Sequence, residues 1–390
     1  MGRYLVKRLI SGILSFLIFT SIVFFTFNAL IPYDFVDTLS LQLAGTGNRE
    51  ALREELGLNL PLWQQYLNWL GDLAQGNLGR EFTLFGQGAA VTDLLQTAIP
   101  STLLIFITGA ALAFWIGYSL GKITAWRSSN RITAPITASA IAFYTAFPPW
   151  LAFLVGYILV IQLGILPARA GSRDLSRRLW FDAPVSETAV MGFMFLSIII
   201  MLILVWLCNR LAHRWRKDGL PTFLAILIFI IGVYLIWTIF DYTPYVLDIL
   251  VAASVPFITF FLLSFGDTLL LTQTTMAGGR HEMYVQTARG KGLPSKQIRD
   301  KHVARNAILP VLSRFVINLP WLLTAIVIVE YATNWPGVGN LLFQAIYNQN
   351  SFIYMDILII VGLLSLIARL ILDVAYAYLD PRIRFGGQTI

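Results

Sequence analysis

The chain has 390 residues, 57% of them hydrophobic and 13% charged, with a mean hydropathy of +0.70. A soluble domain of this length needs far more polar surface, so composition excludes one and makes the bilayer the solvent. The formal charge of +7 fits basic residues on cytoplasmic membrane loops rather than a nucleic-acid partner, because so little charge lies elsewhere.

A bilayer core takes about 20 helical residues to cross. Eight stretches meet that test: 9–31, 102–124, 136–163, 188–208, 221–240, 245–271, 312–332 and 354–379. The expected fold is an all-α integral membrane protein with about eight transmembrane helices. Arg3, Lys7 and Arg8 ahead of the first run look like the start of a signal peptide. The run is too long for one, and Asn28–Pro32 is no small-x-small cleavage site, so it reads as a retained span.

Region 32–101 is expected outside, folded against the membrane. Glu50–Leu56 carries helical charge pairing, and Leu58–Pro61 ends that segment. Trp63, Tyr66 and Trp69 stand at helical spacing. That spacing fits a helix at headgroup level and aromatic packing within the loop equally well.

The placement of Lys and Arg puts the N-terminus in the cytoplasm, with loops 122–135, 209–220 and 272–311 and the C-terminal tail. With Arg314, these segments hold 20 of the 28 basic residues; exported loops hold seven, and Arg369 lies inside the last span. The exceptions are Arg169, Arg173, Arg177 and Arg178, which this orientation exports beside Asp174, Asp182 and Glu187.

Between residues 189 and 208 only Ser197 and Cys208 are mildly polar, and in 221–240 only Thr222, Tyr234, Trp237 and Thr238. A helix lining a hydrophilic path needs a polar stripe, so these two spans are expected to form a peripheral hairpin facing lipid or other helices. Cys208 is the single cysteine, and His213, His281 and His302 lack ligand spacing, so neither a disulfide nor a metal site is expected. Asp248 and Asp267 fall near span ends, where they are expected to reach water.

The cytoplasmic stretch 272–311 is the most informative. Gly292 is placed to close one short helix, Pro294 to stop it, and Ser295 to begin a second. Pro310 marks re-entry into the membrane. Seven basic and two acidic residues between Arg280 and Arg305 make the hairpin a positively charged knob. Further on, Trp335-Pro336-Gly337-Val338-Gly339 supplies turn chemistry, and Leu341, Leu342, Ala345 and Ile346 give a short apolar helical face. This segment reads either as a re-entrant element near an outer mouth or as an interfacial loop anchored by Trp335 and Tyr347. Glu330, next to the turn, is the leading candidate for a gating or pathway role. Arg369 and Asp373 are four apart on one helix and are expected to pair, since a lone charge in a span costs about 2.5–3.5 kcal/mol.

Gln286-Thr-Ala-Arg-Gly-Lys-Gly292 followed by Ile308-Leu-Pro310 resembles the Glu-Ala-Ala-x-x-x-Gly loop of ABC importer permeases. Its Arg305-Asn-Ala-Ile-Leu-Pro310 ending is the form found in the oligopeptide, dipeptide and nickel permeases. Further stretches similar to that family occur in its order: Tyr4–Arg8, Glu55–Pro61, Gly76–Gly79, Pro100–Leu103, Leu163–Pro167, Glu330 with Trp335–Gly339, and Asp373 with Asp380–Arg384. They span the chain except for about 170–243. The chain departs from the pattern at Gln286 and Thr287. It also has Gly278-Gly279 where a helical stretch is usual, which is expected to loosen that helix by about 1 kcal/mol per glycine.

The resemblance implies a type I ABC importer transmembrane domain, a six-helix core with a two-helix hairpin inserted at 170–243. It implies that Tyr284, Gln286, Thr287, Ala288, Gly292, Arg299, Arg305 and Pro310 form the loop that docks on a cytoplasmic ATPase. The expected partners are a second homologous permease, two ATPase subunits and an extracytoplasmic substrate-binding protein. Peptides are the family's usual cargo, with nickel and oligosaccharides as variants. The chain has no Gly-x-x-x-x-Gly-Lys-Ser/Thr loop, so ATP and Mg are expected on partner subunits, with no cofactor or catalytic residue here. A membrane-embedded enzyme would need a carboxylate pair, His cluster or Ser/Lys dyad, and none stands at suitable spacing. A channel or stand-alone carrier is the alternative, and the docking-type loop argues against it.

Overall fold

Lipid tails are as apolar as leucine, so helices in a membrane are held by close packing and hydrogen bonds rather than by burial alone. The computed structural model describes residues 2–30, 50, 53–54, 57–83, 86–127, 130–170, 176–181, 183–215, 221–348 and 351–379. Its spine is the pair α3 (Val91–Trp126) and α8 (Thr243–Gly279), and small residues let the two touch. A Cβ on Gly117 would lie 2.7 Å from the Phe265 carbonyl oxygen, and one on Gly121 2.6 Å from Thr272 Cβ. α4 (Asn130–Tyr144) packs on the other side of α8, with Ala140 against Gly266.

α1 (Gly2–Leu30) and α12 (Ser351–Leu379) pair, with Gly362 admitting the Phe19 ring. Across their exported ends lies α2 (Leu62–Ala74), where Tyr66 hydroxyl meets Ser21 Oγ at 2.8 Å. Trp69 Nε1 donates to Asp356 at 3.3 Å. Tyr66 and Trp69 therefore serve packing, while Trp63 stays exposed. A two-stranded antiparallel hairpin, β1 (Arg80–Thr83) and β2 (Gly86–Ala90), leads into α3; nothing in the sequence analysis anticipated it. Of the expected Glu50–Leu56 helix, most residues lie outside the described ones.

Among the described residues five helices are long and apolar enough to cross a membrane, or six if a bent pair counts as one. Two more expected spans fall on the shorter apolar stretches Phe223–Ile239 and Ile353–Ile367, so all eight predicted stretches are helical. The expected span at 136–163 is not one rod. It bends by 115° between α4 and α5 (Pro148–Gly156), which continues as a π-helical turn at Tyr157–Gln162. Pro148 is the cause. It forces Phe147 into an extended conformation (φ −68°, ψ 120°) and starts a new helix.

α6 (Glu187–Trp215) and α7 (Thr222–Ile239) form the expected hairpin, tied by Trp237 Nε1 donating to Ser197 Oγ at 3.0 Å. Only the exported end of α6 enters the core: Val190, Met191 and Met194 pack with Leu104 and Ile105 of α3 and with Val246 and Ile249 of α8. The rest presents Trp206, Phe223 and Ile230 outward, each more than half exposed.

Asp248 corrects an expectation. It does not reach water but is 5% exposed, paired to Arg169, and accepts from Ser176 N–H at 2.9 Å and Trp180 Nε1 at 3.0 Å. Arg169, one of the exported arginines that broke the charge pattern, thus fastens the exported loop to the head of α8. Asp267 accepts from Asn318 Nδ2 at 2.6 Å, joining α8 to α10 (Ala304–Ala332). The side chains of Arg369, Asp373, Arg173 and Arg177, and all of Asp380–Arg384, lie outside the described residues.

Candidate functional site

The hairpin expected in the cytoplasm begins where α8 ends. That helix runs through Gly278 and Gly279 without interruption, so the expected loosening does not break it. α9 (Met283–Gly290) follows and closes in a Schellman pattern: Gly292 N–H bonds Arg289 O at 2.9 Å and Leu293 N–H bonds Ala288 O at 3.3 Å. Gly292 takes φ +73°, a left-handed conformation costly for any side chain, with open space around it. A turn at Ser295–Gln297 and a π-helical turn at Ile298–Val303 lead into α10. Pro310 lies inside α10 rather than at its start, as does Pro320.

Val285, Ala288, Ile298, Val303, Ala304 and Ala307 form a small core with Met276, and Tyr118, Trp126 and Leu293 pack around it. Ala288 faces this core rather than the exposed side of the hairpin. Tyr284, Gln286, Thr287, Gly292, Arg305 and Pro310 are exposed, and Met283 more so at 81%. Arg299 is held by its neighbour Asp300 through two hydrogen bonds of 2.7 and 2.8 Å. That guanidinium holds the Asp300 carboxyl below its usual range. The exposed positive charge of the hairpin therefore rests on Arg289, Lys291, Lys296, Lys301 and Arg305 rather than on Arg299.

Sequence reading missed Trp126 and Tyr118, the residues that seat the hairpin. Trp126 Nε1 donates to Ser295 Oγ at 2.7 Å, and the Arg280 guanidinium lies over the Trp126 ring at 5.7 Å. Tyr118 hydroxyl donates to the Ala304 carbonyl at 2.8 Å. The one available signal was an aromatic at each of the last turns of a span.

At the other end, α10 gives way to the turn Thr333–Gly337 and to α11 (Val338–Tyr347). Glu330 is fully buried, and its Oε2 accepts the Gly339 N–H at 2.7 Å. The carboxyl there satisfies an orphan amide donor at the start of α11. Gly337 leaves no room for a Cβ against the Glu330 carboxyl, and a Cβ on Gly339 would sit 2.5 Å from Val327 Cα. Trp335 is 1% exposed; its Nε1 donates to the Ser101 carbonyl at 3.2 Å. Val338 N–H donates to Thr102 Oγ1 at 2.8 Å. Pro336 is half-buried in the turn. Trp335 anchors into the protein interior, whereas Tyr347 is 87% exposed.

Two family descriptions match. Residues 218–385 match the binding-protein-dependent transport system inner membrane component, and residues 1–105 match the N-terminal part of such membrane components. The first takes in α7, which the sequence analysis counted with the insertion. The chain is 25% identical over 385 residues to the oligopeptide transport system permease protein AppB of Bacillus subtilis, covering 99% of this chain and 100% of that one. It is 27% identical over 357 residues to the di/tripeptide transport system permease protein DppB of Pseudomonas aeruginosa, covering 91% of each. It is 24% identical over 392 residues to the glutathione transport system permease protein GsiC of Escherichia coli O6:H1, covering 99% and 100%.

Proposed function

We propose that this chain, which belongs to the inner membrane components of binding-protein-dependent transport systems and is a multi-pass permease subunit of an ABC importer, takes up peptides and docks the 283–305 hairpin on a cytoplasmic ATPase. The observation that carries the docking is the hairpin's two-sidedness. Val285 and Ala288 bury inward while Met283, Gln286, Thr287 and Arg289 face out, surrounded by the exposed basic side chains of Lys291, Lys296, Lys301 and Arg305. Such a surface fits an acidic groove with an apolar floor. Peptide cargo rests on the names of the oligopeptide, di/tripeptide and glutathione relatives. The partners proposed with it are a second permease, two ATPase subunits that use ATP and Mg, and an extracytoplasmic binding protein.

In this reading ATP-driven closure of the ATPases moves the hairpin, and the helices above it tilt between inward- and outward-facing arrangements. Glu330 then acts in the pathway by fixing α11 at the outer end of α10.

The test is Gly292→Leu. A leucine at φ +73° costs about 1–2 kcal/mol and disturbs only the exposed turn. The protein should insert normally, yet substrate-stimulated ATP hydrolysis by the assembled complex should be lost. Full stimulation would remove the docking assignment. Failure of the chain to co-purify with any ATPase would favour a channel or carrier instead.

A further inference from the structure

The hairpin and the outer turn lie at opposite ends of the molecule, and two helices connect them. One is α10, the covalent link from Ala304 to Ala332. It is a poor lever, because Pro310 and Pro320 each remove a ladder hydrogen bond and a π-helical turn precedes it. The other is α3, whose residues contact both ends.

From Ser101 to Trp126 α3 contains no proline and spans about 38 Å at 1.5 Å per residue. Gly117 and Gly121 lock it against the backbone of α8, so it does not bow freely. At its cytoplasmic end Trp126 holds Ser295, and Tyr118 holds the Ala304 carbonyl. At its outer end the Ser101 carbonyl receives the Trp335 indole, and Thr102 Oγ1 receives the Val338 amide. Three of the four contacts are hydrogen bonds to the segments that α10 joins, and the fourth holds the first residue of α10 itself.

We propose that α3 is a strut coupling the cytoplasmic hairpin to the outer helix α11, with Trp126 and Thr102 as the positioning residues that clamp its ends. The strut fixes the distance between the two ends of a proline-interrupted α10. Displacing the hairpin therefore moves α3 along its axis and shifts the Trp335–Gly339 turn, instead of being absorbed at Pro310 and Pro320. Coupling of this kind is reciprocal: loosening either clamp must loosen the far end.

The functional meaning of the strut rests on the docking reading above, but its test does not need the ATPase. Backbone hydrogen exchange is measured on the full chain in lipid nanodiscs for Thr102→Val, which keeps the side-chain shape, and for Trp126→Phe, which keeps a smaller aromatic ring in the same seat. Losing one net hydrogen bond of this kind should raise local opening about three- to tenfold. Trp126→Phe should accelerate exchange at Val338–Leu341, and Thr102→Val should accelerate it across Val285–Ala304. The double variant should show less than the product of the two effects, because both act on one element. Effects confined to the altered end, or independent effects that multiply, would overturn the strut while leaving the docking hairpin untouched. Loss of ATPase stimulation in Gly292→Leu is read separately, so the two readings fail independently.

Discussion

Replacing Glu330 tests what holds α11 in place. Its carboxylate accepts the Gly339 amide at 2.7 Å, is fully buried, and sits at the positive end of the helix. Glu330→Ala leaves that amide without an acceptor, about 1–3 kcal/mol, and removes the partner of the Thr102 hydroxyl, about 1 kcal/mol more. Glu330→Gln keeps an oxygen acceptor for that amide in the same place and should cost less, about 1 kcal/mol. At 1.4 kcal/mol per factor of ten, opening of α11 should rise about 100-fold for alanine and about fivefold for glutamine. The assay is the rate at which an impermeant thiol reagent modifies a cysteine at Ala345, which is 4% exposed, in a Cys208→Ser background. The order alanine, glutamine, parent is the required result. Equal rates for the two variants, or an alanine variant no faster than the parent, would refute the capping role.

Asp248→Ala removes the shared acceptor of Arg169, Ser176 N–H and Trp180 Nε1. It should lower stability by about 2–3 kcal/mol, read as a drop in Tm, while Asp248→Asn loses less. In a Cys208-free background, cysteine at Arg214 should resist an impermeant reagent in intact cells and cysteine at Arg173 should react, as the orientation requires. Excising 184–243 removes Val190, Met191 and Met194 from beside Leu104 and Ile105 and should cost several times about 2 kcal/mol, seen as poor assembly. Excising only the outer part of the hairpin, 198–236, with a short linker should spare uptake.

The elements legible in the sequence were those whose signal is local. Each span is an apolar run, and Gly292-Leu293-Pro294 writes its own helix stop. The bend between α4 and α5 was legible too, since Pro148-Pro149 stands in the middle of 136–163, but apolar length outweighed it. The seats of the hairpin were not legible. Trp126 and Ser295 are 169 residues apart. Whether an aromatic at a span end points to lipid headgroups or to a hydroxyl across the bundle depends on helix rotation, which no local pattern records. Asp248 was misread for a related reason. Its position near a span end was clear, but its partner Arg169 lies 79 residues earlier and had looked like an exception to the charge rule.

Pairing accounts for that exception: Arg169 and Asp248 lie on the same side of the membrane whichever way the chain is oriented. The positive-inside rule weighs basic residues as free charges held back by the membrane potential and anionic lipid. Arg169 is not free: its partner carboxylate is buried at the exported head of α8, and the pair is further tied to Trp180 and the Ser176 backbone. Breaking such a pair by moving one member to the other side would strand a buried charge, at a cost of about 3–5 kcal/mol. That exceeds the roughly 1 kcal/mol per basic residue gained by facing an anionic leaflet. For Arg169, then, pairing within the fold outweighs the charge rule.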